Sequence, residues 1–525
     1  MDRSDVIEVL NRNDYLKHKI FCRGFCITNN SKINTEIHPF YGVWKKIDLC
    51  DSKVFLHIHP KTTAYWKVIS SEEVIGLIGH AYNPFNGCCD EQEILRELEK
   101  TLDSSEDFIE KINELTGTFV IFRSTANQIE FLGDTVGLQS VFYTLQNGAY
   151  YVSSHSNMIG DLLELEEDSF VKELKNAKYF HLFGNQLPGN ISSFKEVSRL
   201  VPNHYVKIGE EIIEKRFYYP CQKEYEMEEI CNQSYGIMQS TMELIVKKWK
   251  IPAISLTGGV DSKTTLACAI KQKEKYKFFS YDSQKNEAPD VVAAEQISKN
   301  LGLEFIKYAI PYEDEAFDNI EDYRTVMFWN CGNVCLNNKN DLRKRIFLDE
   351  IPDYEVEVKS WASEVGRARY TKRYNGRKNF GKEPTPRKCT TFYKFLFFDR
   401  KVMRKVDLIF KEYLDKFFES AEEKPIPWQD QFYWEWHWPS RDGVVLTCEQ
   451  KYSHEITVPY NNRRLLELLL SVPMEDRIND TVYKMIRDRV APEIDKAAES
   501  IVDVNHTKNR AIAEEFYYIV NNIIP

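Results

Sequence analysis

Ile254-Ser255-Leu256-Thr257-Gly258-Gly259-Val260-Asp261-Ser262-Lys263-Thr264 reads as a buried strand, a two-glycine turn and the start of a helix. A helix that opens straight out of a strand presents unpaired backbone N–H groups and the positive end of its dipole at one spot, which attracts phosphate. Gly258 and Gly259 allow close backbone approach and unusual φ values. Thr257 and Ser262 add hydroxyls. Asp261 is a poor phosphate contact by itself but a good ligand for magnesium bridging phosphates. The spacing is not GxxxxGK[ST], so this is not a Walker loop.

Outward from this loop, strand and helix alternate. Lys277 is followed by an apolar strand at 278–281, then a helical pattern at 290–301, then a strand at 305–308. That alternation predicts a parallel sheet with crossover helices. Ser280 and Tyr281, at the end of the second strand, fall beside the loop in a doubly wound sheet, where ligands gather at the carboxyl ends. Upstream, 228–248 is one long helical pattern. Beyond about 310 the chain reads as mainly helical.

The first 210 residues read differently. Short apolar runs at 54–58, 74–78, 117–122, 129–132, 141–143 and 150–152 are separated by turn residues. Asn147-Gly148 between the last two is a strong hairpin signal. One helix is predicted at 91–102, and 203–208 reads as the last strand. The expectation is two domains, residues 1–215 with an antiparallel sheet and 225–525 with the parallel one.

Composition sets limits. A chain of 525 residues is too long for one ordinary core. A net charge of -11 argues against general nucleic-acid binding. Twelve cysteines are scattered, and Cys22/Cys26, Cys88-Cys89 and Cys331/Cys335 lack zinc-ligand spacing. No signal-peptide h-region and no apolar run of about 18 residues occurs, so a cytoplasmic protein without a membrane span is expected. A homodimer is compatible with these limits. Residues 366–388 reverse the overall charge, with nine Lys/Arg and the single acid Glu383. The run reads either as a solvated loop or as an anion-facing one.

Thr257 to Ser262 resembles the [ST]GGxDS loop of ATP-pyrophosphatases, and the chain at large resembles the asparagine synthase family. Leu115-Thr116-Gly117-Thr118-Phe119-Val120 is similar to its L-x-G-x-F-A strand, 133–143 to its R-D-x-x-G-x-x-P-L-Y-Y segment, and 194–204 to its F-x-x-I-x-R-L-x-P-G-H segment. The resemblance implies a glutaminase-like α+β sandwich of the N-terminal-nucleophile type, followed by an α/β ATP-pyrophosphatase domain with a helical C-terminal part. The family's Cys after the initiator Met is Asp2 here, and its N-G-E-x-Y-N segment is replaced by Ile78-Gly79-His80-Ala81-Tyr82-Asn83. Glutamine hydrolysis is therefore not expected. In this respect the chain is similar to β-lactam synthetases and lasso-peptide cyclases.

In the second half, Val358 to Arg367 stands where the family has S-G-E-G-x-D-E, and Ser360 and Glu364 are its matches. Residues 456–462 are similar to R-V-P-F-L-D, and Tyr483-Lys484-Met485-Ile486-Arg487 to the E-K-x-x-L-R helix. The resemblance implies ATP and Mg2+ as cofactors. ATP is expected on Ser255, Leu256, Thr257, Gly258, Gly259, Val260, Asp261 and Ser262, with its adenine near Ser280 and Tyr281. Magnesium is expected on Asp261 and Glu364. Lys484, Glu364 and Arg367 are the expected catalytic groups. The implied activity is ATP-dependent amide ligation, joining a small-molecule or peptide carboxylate to ammonia or an amine with release of AMP and pyrophosphate. Two alternatives stay open: a non-catalytic nucleotide- or partner-binding relative, motivated by the altered second motif, and a tRNA-modifying pyrophosphatase.

Overall fold

The computed structural model describes residues 2–523 except 52, 126, 179, 181–184, 284–287, 333, 335–338, 350, 352 and 500–506. Cys335 lies outside the described residues. Twelve strands form the first part: β1 (Phe25–Thr28), β2 (Lys45–Leu49), β3 (Val54–Ile58), β4 (Ala64–Ser70), β5 (Glu73–Tyr82), β6 (Thr116–Thr125), β7 (Ile129–Gly133), β8 (Phe142–Gln146), β9 (Ala149–Ser153), β10 (Ser198–Arg199), β11 (His204–Ile208) and β12 (Ile212–Arg216). They make two antiparallel sheets, ordered β10-β8-β9-β1-β3-β2 and β12-β11-β7-β6-β5-β4. Alternation along each strand gives each sheet an apolar face, and Phe25, Ile27 and Leu56 of one share a core with Val74, Val120 and Val206 of the other. The far face of the second sheet packs Ile75, Leu77 and Phe119 on Ile94, Leu95 and Ile112 of the helices Glu91–Glu99 and Ser105–Asn113.

The Asn147-Gly148 turn closes β8 onto β9, with both residues at positive φ (53° and 77°), as a two-residue type I′ hairpin requires. The strand at 203–208 is not the last: β12 follows and pairs antiparallel with it from Ile208↔Ile212 to His204↔Arg216. Its sequence, Ile-Ile-Glu-Lys-Arg, is too polar to stand out as a strand.

The second part holds a five-stranded sheet in which every pairing is parallel: β13 (Pro252–Ser255), β14 (Lys277–Asp282), β15 (Phe305–Ala309), β16 (Val356–Val358) and β17 (Glu455–Thr457), ordered β15-β14-β13-β16-β17. The helix Met227–Lys248 leads into β13. β16 and β17 break the helical expectation for the C-terminal part. Three residues are too few to show a period. Strand order runs outward from β13 in one direction and then from β16 in the other. This reversal opens a crevice at the carboxyl ends of β13 and β16, the place where such sheets bind ligands. No helix among the described residues is long and apolar enough to cross a membrane.

Candidate functional site

The two chain segments that leave this crevice are Leu256 to Gly259 and Lys359 to Arg367. They touch: Ser255 Oγ donates to the Val358 carbonyl at 3.5 Å, and Thr265 and Ser360 share a hydroxyl hydrogen bond of 2.7 Å. The loop is braced from within. Ser262 Oγ accepts from the Thr257 N–H at 2.9 Å and donates to the Ser255 carbonyl at 3.3 Å. Gly258 N–H goes to Asp290 Oδ1 at 3.0 Å and Gly259 N–H to Thr257 Oγ1 at 3.2 Å. The amides of 257–259 are therefore hydrogen-bonded within the protein. The open donors lie one step on, at the first turn of the helix Val260–Ala269, whose N-cap Gly259 supplies no side-chain cap.

Asp261 sits on that first turn. Its Oδ2 accepts from Arg367 Nη1 at 2.5 Å, while Oδ1 is buried and unpartnered. Glu364 Oε2 is likewise buried without a partner. Burial first, and then the charge of Asp261, push the Glu364 carboxyl up to about 7, against the pull of Arg369 and Arg367. Two carboxylates whose charges act on one another thus each keep an orphaned oxygen. That fits a divalent cation completed by phosphates, since magnesium is commonly held by one or two carboxylates with substrate oxygens. Among the described residues no group of three or more His, Cys, Asp or Glu side chains forms a cage for a metal by itself.

Arg367 fills the space between acids. Its Nε and Nη2 grip both oxygens of Asp480 at 2.7 and 2.9 Å, and Lys372 Nζ adds a contact of 2.7 Å to Asp480. Tyr483, under the Arg367 guanidinium, donates to the Ser363 carbonyl at 2.9 Å. The rest of the basic stretch is laced to other elements: Arg373 to Glu514, Arg377 to Glu515 and Arg387 to Asp407. Most of 375–385 is nevertheless exposed loop.

Other expected residues fall less tightly around the loop. Leu256 is fully buried and offers only its backbone, which accepts from Ser280 Oγ. Tyr281 is on the opposite face of the sheet from Ser280, because strand side chains alternate. Its hydroxyl donates to Glu357 at 3.1 Å. Lys484 is exposed on the helix Thr481–Val490 and has no hydrogen bond or ion pair among the described residues. Helical spacing puts it on one face with Asp480 and Arg487. Arg487, which was not among the expected groups, reaches the helix Val260–Ala269, donating to Thr264 Oγ1 at 2.8 Å. Asp480 and Asp290 were missed too. Neither carries a sequence signal, since both act on residues over 30 positions away.

Between β5, β6 and β17 the chain buries a cluster of its own charges. Lys451 Nζ contacts Glu455 Oε1 at 2.9 Å, Thr118 Oγ1 at 3.2 Å and Gln139 Oε1 at 3.2 Å. Arg23 meets Glu455 at 3.2 Å, and buried His80 lies 3.9 Å from it. Burial alone raises the Glu455 carboxyl; Lys451, then Arg23, overcome that and hold it at about 2.

No family model and no curated protein matches this sequence. Solved structures give weak likenesses. A glutamine-dependent NAD+ synthetase from Acinetobacter baumannii in complex with ADP is 16% identical over 30% of this chain, with a TM-score of 0.18. The match spans only 28% of that synthetase. The glutamine phosphoribosylpyrophosphate amidotransferase of B. subtilis, complexed with ADP and GMP, is 8% identical over 76% of each chain, with a TM-score of 0.22. A structure described as the allosteric regulatory enzyme of purine biosynthesis is 10% identical, covers 66% of this chain and 70% of that one, and has a TM-score of 0.24. At such scores these likenesses carry no weight for the chemistry, which rests on this chain's own residues.

Proposed function

We propose that the protein is an ATP-dependent ligase that activates a carboxylate and joins it to ammonia or an amine. The observation that carries this reading is the pair of orphaned carboxylate oxygens, Asp261 Oδ1 and Glu364 Oε2, beside an uncapped helix start at a sheet's switch point. The amides of Val260, Asp261 and Ser262 hold phosphate oxygens. Asp261 and Glu364 hold magnesium, which when bound offsets pyrophosphate charge. Arg367, Arg487 and the solvent-facing Lys484 supply further positive charge. A substrate carboxylate oxygen attacks the α-phosphorus, the bond from that phosphorus to the bridging oxygen breaks, and pyrophosphate leaves. The amine nitrogen then attacks the acyl carbon, AMP leaves, and the nitrogen loses a proton. The protein's contribution is positioning and preorganised charge. The network of Lys451, Glu455 and His80 supports free ammonia or a substrate amine, rather than glutamine, as the nitrogen source.

A second reading, a non-catalytic nucleotide binder, is favoured by one observation: Arg367 already neutralises Asp261. Incubating the protein with ATP, magnesium and a panel of acids and amines, and assaying AMP and pyrophosphate, separates the two. Acid-dependent formation of both products supports the ligase. Nucleotide binding without either product under any condition supports the binder.

A further inference from the structure

Arg199, on β10, is 3% exposed, and its guanidinium makes one hydrogen bond, from Nη2 to the Gly189 carbonyl at 2.6 Å. Its Nε is buried without a partner, and among the described residues no carboxylate forms an ion pair with it. The titratable groups whose charge bears on it are the hydroxyls of Tyr143 and Tyr413, and burial holds both of these neutral. Glu214, which accepts from the Tyr143 hydroxyl at 2.6 Å, is taken by Lys416. Burial pulls the Arg199 guanidinium down only to about 10, so it stays charged at neutral pH. The chain thus holds a full positive charge in its interior with no acid of its own to balance it, which is a costly state.

The guanidinium borders an internal cavity whose lining residues are buried, Ile191 excepted. The cavity lies where the two parts of the chain meet, between Ser156, Ser193 and Arg199 of the first and Asn330, Gly332 and Ser440 of the second. No Asp or Glu lines it, and no residue of the phosphate turn or of 359–367 does. It has room for about one water-sized occupant. Most of the side chains around it have spent their protons. Ser440 Oγ donates to the His437 carbonyl at 3.0 Å, Ser193 Oγ to the Gly332 carbonyl and Asn330 Nδ2 to the Lys19 carbonyl at 3.0 Å. Ser156 Oγ has only a long bond of 3.5 Å to Asn157 Oδ1 and can turn. Gly332, at a φ of 68°, leaves these hydroxyls their room, since a Cβ there would lie 2.9 Å from Ser156 Oγ and 3.4 Å from Ser193 Oγ. Arg199 also borders a second small cavity. The acid on that one, Asp134, turns its oxygens to the N–H groups of Leu138 and Gln139 at 2.9 and 2.8 Å, and the cation acting on it is Arg463.

A space for one small occupant beside an unbalanced guanidinium selects a compact anion. Water would satisfy an N–H but leave the charge, and a phosphate is too large for the space. We propose that a single chloride ion occupies this cavity, accepting from Arg199 and Ser156 and fastening β10 to the segments around Gly332 and Ser440. The ion offsets the buried charge and ties the first part of the chain to the second. Its role is structural and stands whether or not the protein is a ligase.

The test uses the full chain purified in sodium gluconate without halide. Sodium chloride or bromide then replaces gluconate at constant ionic strength, and stability is read by melting temperature and urea titration. The wild type should gain stability with either halide along a saturating curve. Ser156→Ala should shift the midpoint of that curve to about fivefold more halide, the worth of one hydrogen bond. Arg199→Met should lose the halide response. Crystals of the wild type grown in bromide should show an anomalous peak in the cavity, in contact with the Arg199 guanidinium. If Arg199→Met fails to fold, the wild-type titration and the bromide map decide together. A halide response that survives in Arg199→Met, or water rather than bromide in the cavity at saturating bromide, overturns the inference. A bromide peak without any halide response in solution marks an adventitious ion only and overturns it as well.

Discussion

Arg367 donates to Asp261 at 2.5 Å, so the carboxylate best placed to hold a metal is bound to the protein's own guanidinium. The same group grips Asp480 through two parallel hydrogen bonds. Arg367 thus acts as an internal cation among Asp261, Asp480 and Glu364. In the proposed ligase, magnesium reaching the unpartnered Oδ1 of Asp261 would weaken this pair and exchange for the guanidinium, which would then face phosphate.

Removing that cation has a measurable cost. Arg367→Met leaves three acids short of a counter-charge and should lose about 3 kcal/mol of stability in denaturant titration at pH 8. Magnesium alone should then restore part of it, and should stabilise the variant more than the wild type. An equal magnesium response in both proteins contradicts the exchange.

Glu364 links stability to pH. Its carboxyl titrates near 7 in the folded chain against 4.5 when free, so the folded state holds the proton more tightly. The stability from this proton is full below about 4.5 and is lost as pH rises through about 7, at up to about 1.4 kcal/mol per unit. Glu364→Gln should therefore melt above the wild type at pH 8 and level with it at pH 4.5. The same variant should abolish magnesium-dependent ATP cleavage. A wild-type advantage at pH 8 rules out this titration.

Glu455 runs the other way. It is held near 2 by Lys451 and Arg23, so its stabilisation is full above 4.5 and lost as pH falls through about 2. Glu455→Gln leaves Lys451 buried beside a neutral group and should cost roughly 3 kcal/mol at pH 7. It should also remove the acid limb of the stability profile between pH 4.5 and 2. An unchanged acid limb shows that other carboxylates set it.

Ser262 holds the loop shut with one accepted and one donated hydrogen bond. Ser262→Ala should cost about 1 kcal/mol of stability. It should also raise the KM for ATP roughly tenfold, corresponding to about 1.4 kcal/mol, with a smaller effect on the KM for the acid. Equal effects on both substrates would mean a global rather than a local loosening.

Much of the fold was legible where local chemistry is decisive. Two glycines between an apolar run and a helical pattern mark the loop, and Asn147-Gly148 marks a hairpin whose φ values follow from those residue types. Asp261 and Glu364 were readable as candidate metal ligands from the loop and from a resemblance at Ser360 and Glu364. The rest depends on distant partners. β16 and β17 are three residues each and are strands only because β13 and β16 offer edges to pair with. Arg487 rather than Lys484 reaches Thr264 because Arg487 is the one buried against the helix Val260–Ala269, which depends on how the two helices pack and not on local sequence. The bond from Gly258 to Asp290 spans 32 positions and leaves no local trace.

The central claim is that Asp261 and Glu364 serve acyl-adenylate formation. The most direct measurement is acid-dependent exchange of labelled pyrophosphate into ATP, which requires adenylate formation and no amine. The wild type should catalyse exchange with at least one acid, and Asp261→Ala should lower its rate by roughly a thousandfold while nucleotide still binds. Exchange that persists in Asp261→Ala, or its absence from the wild type with every acid although ATP binds, would contradict the claim.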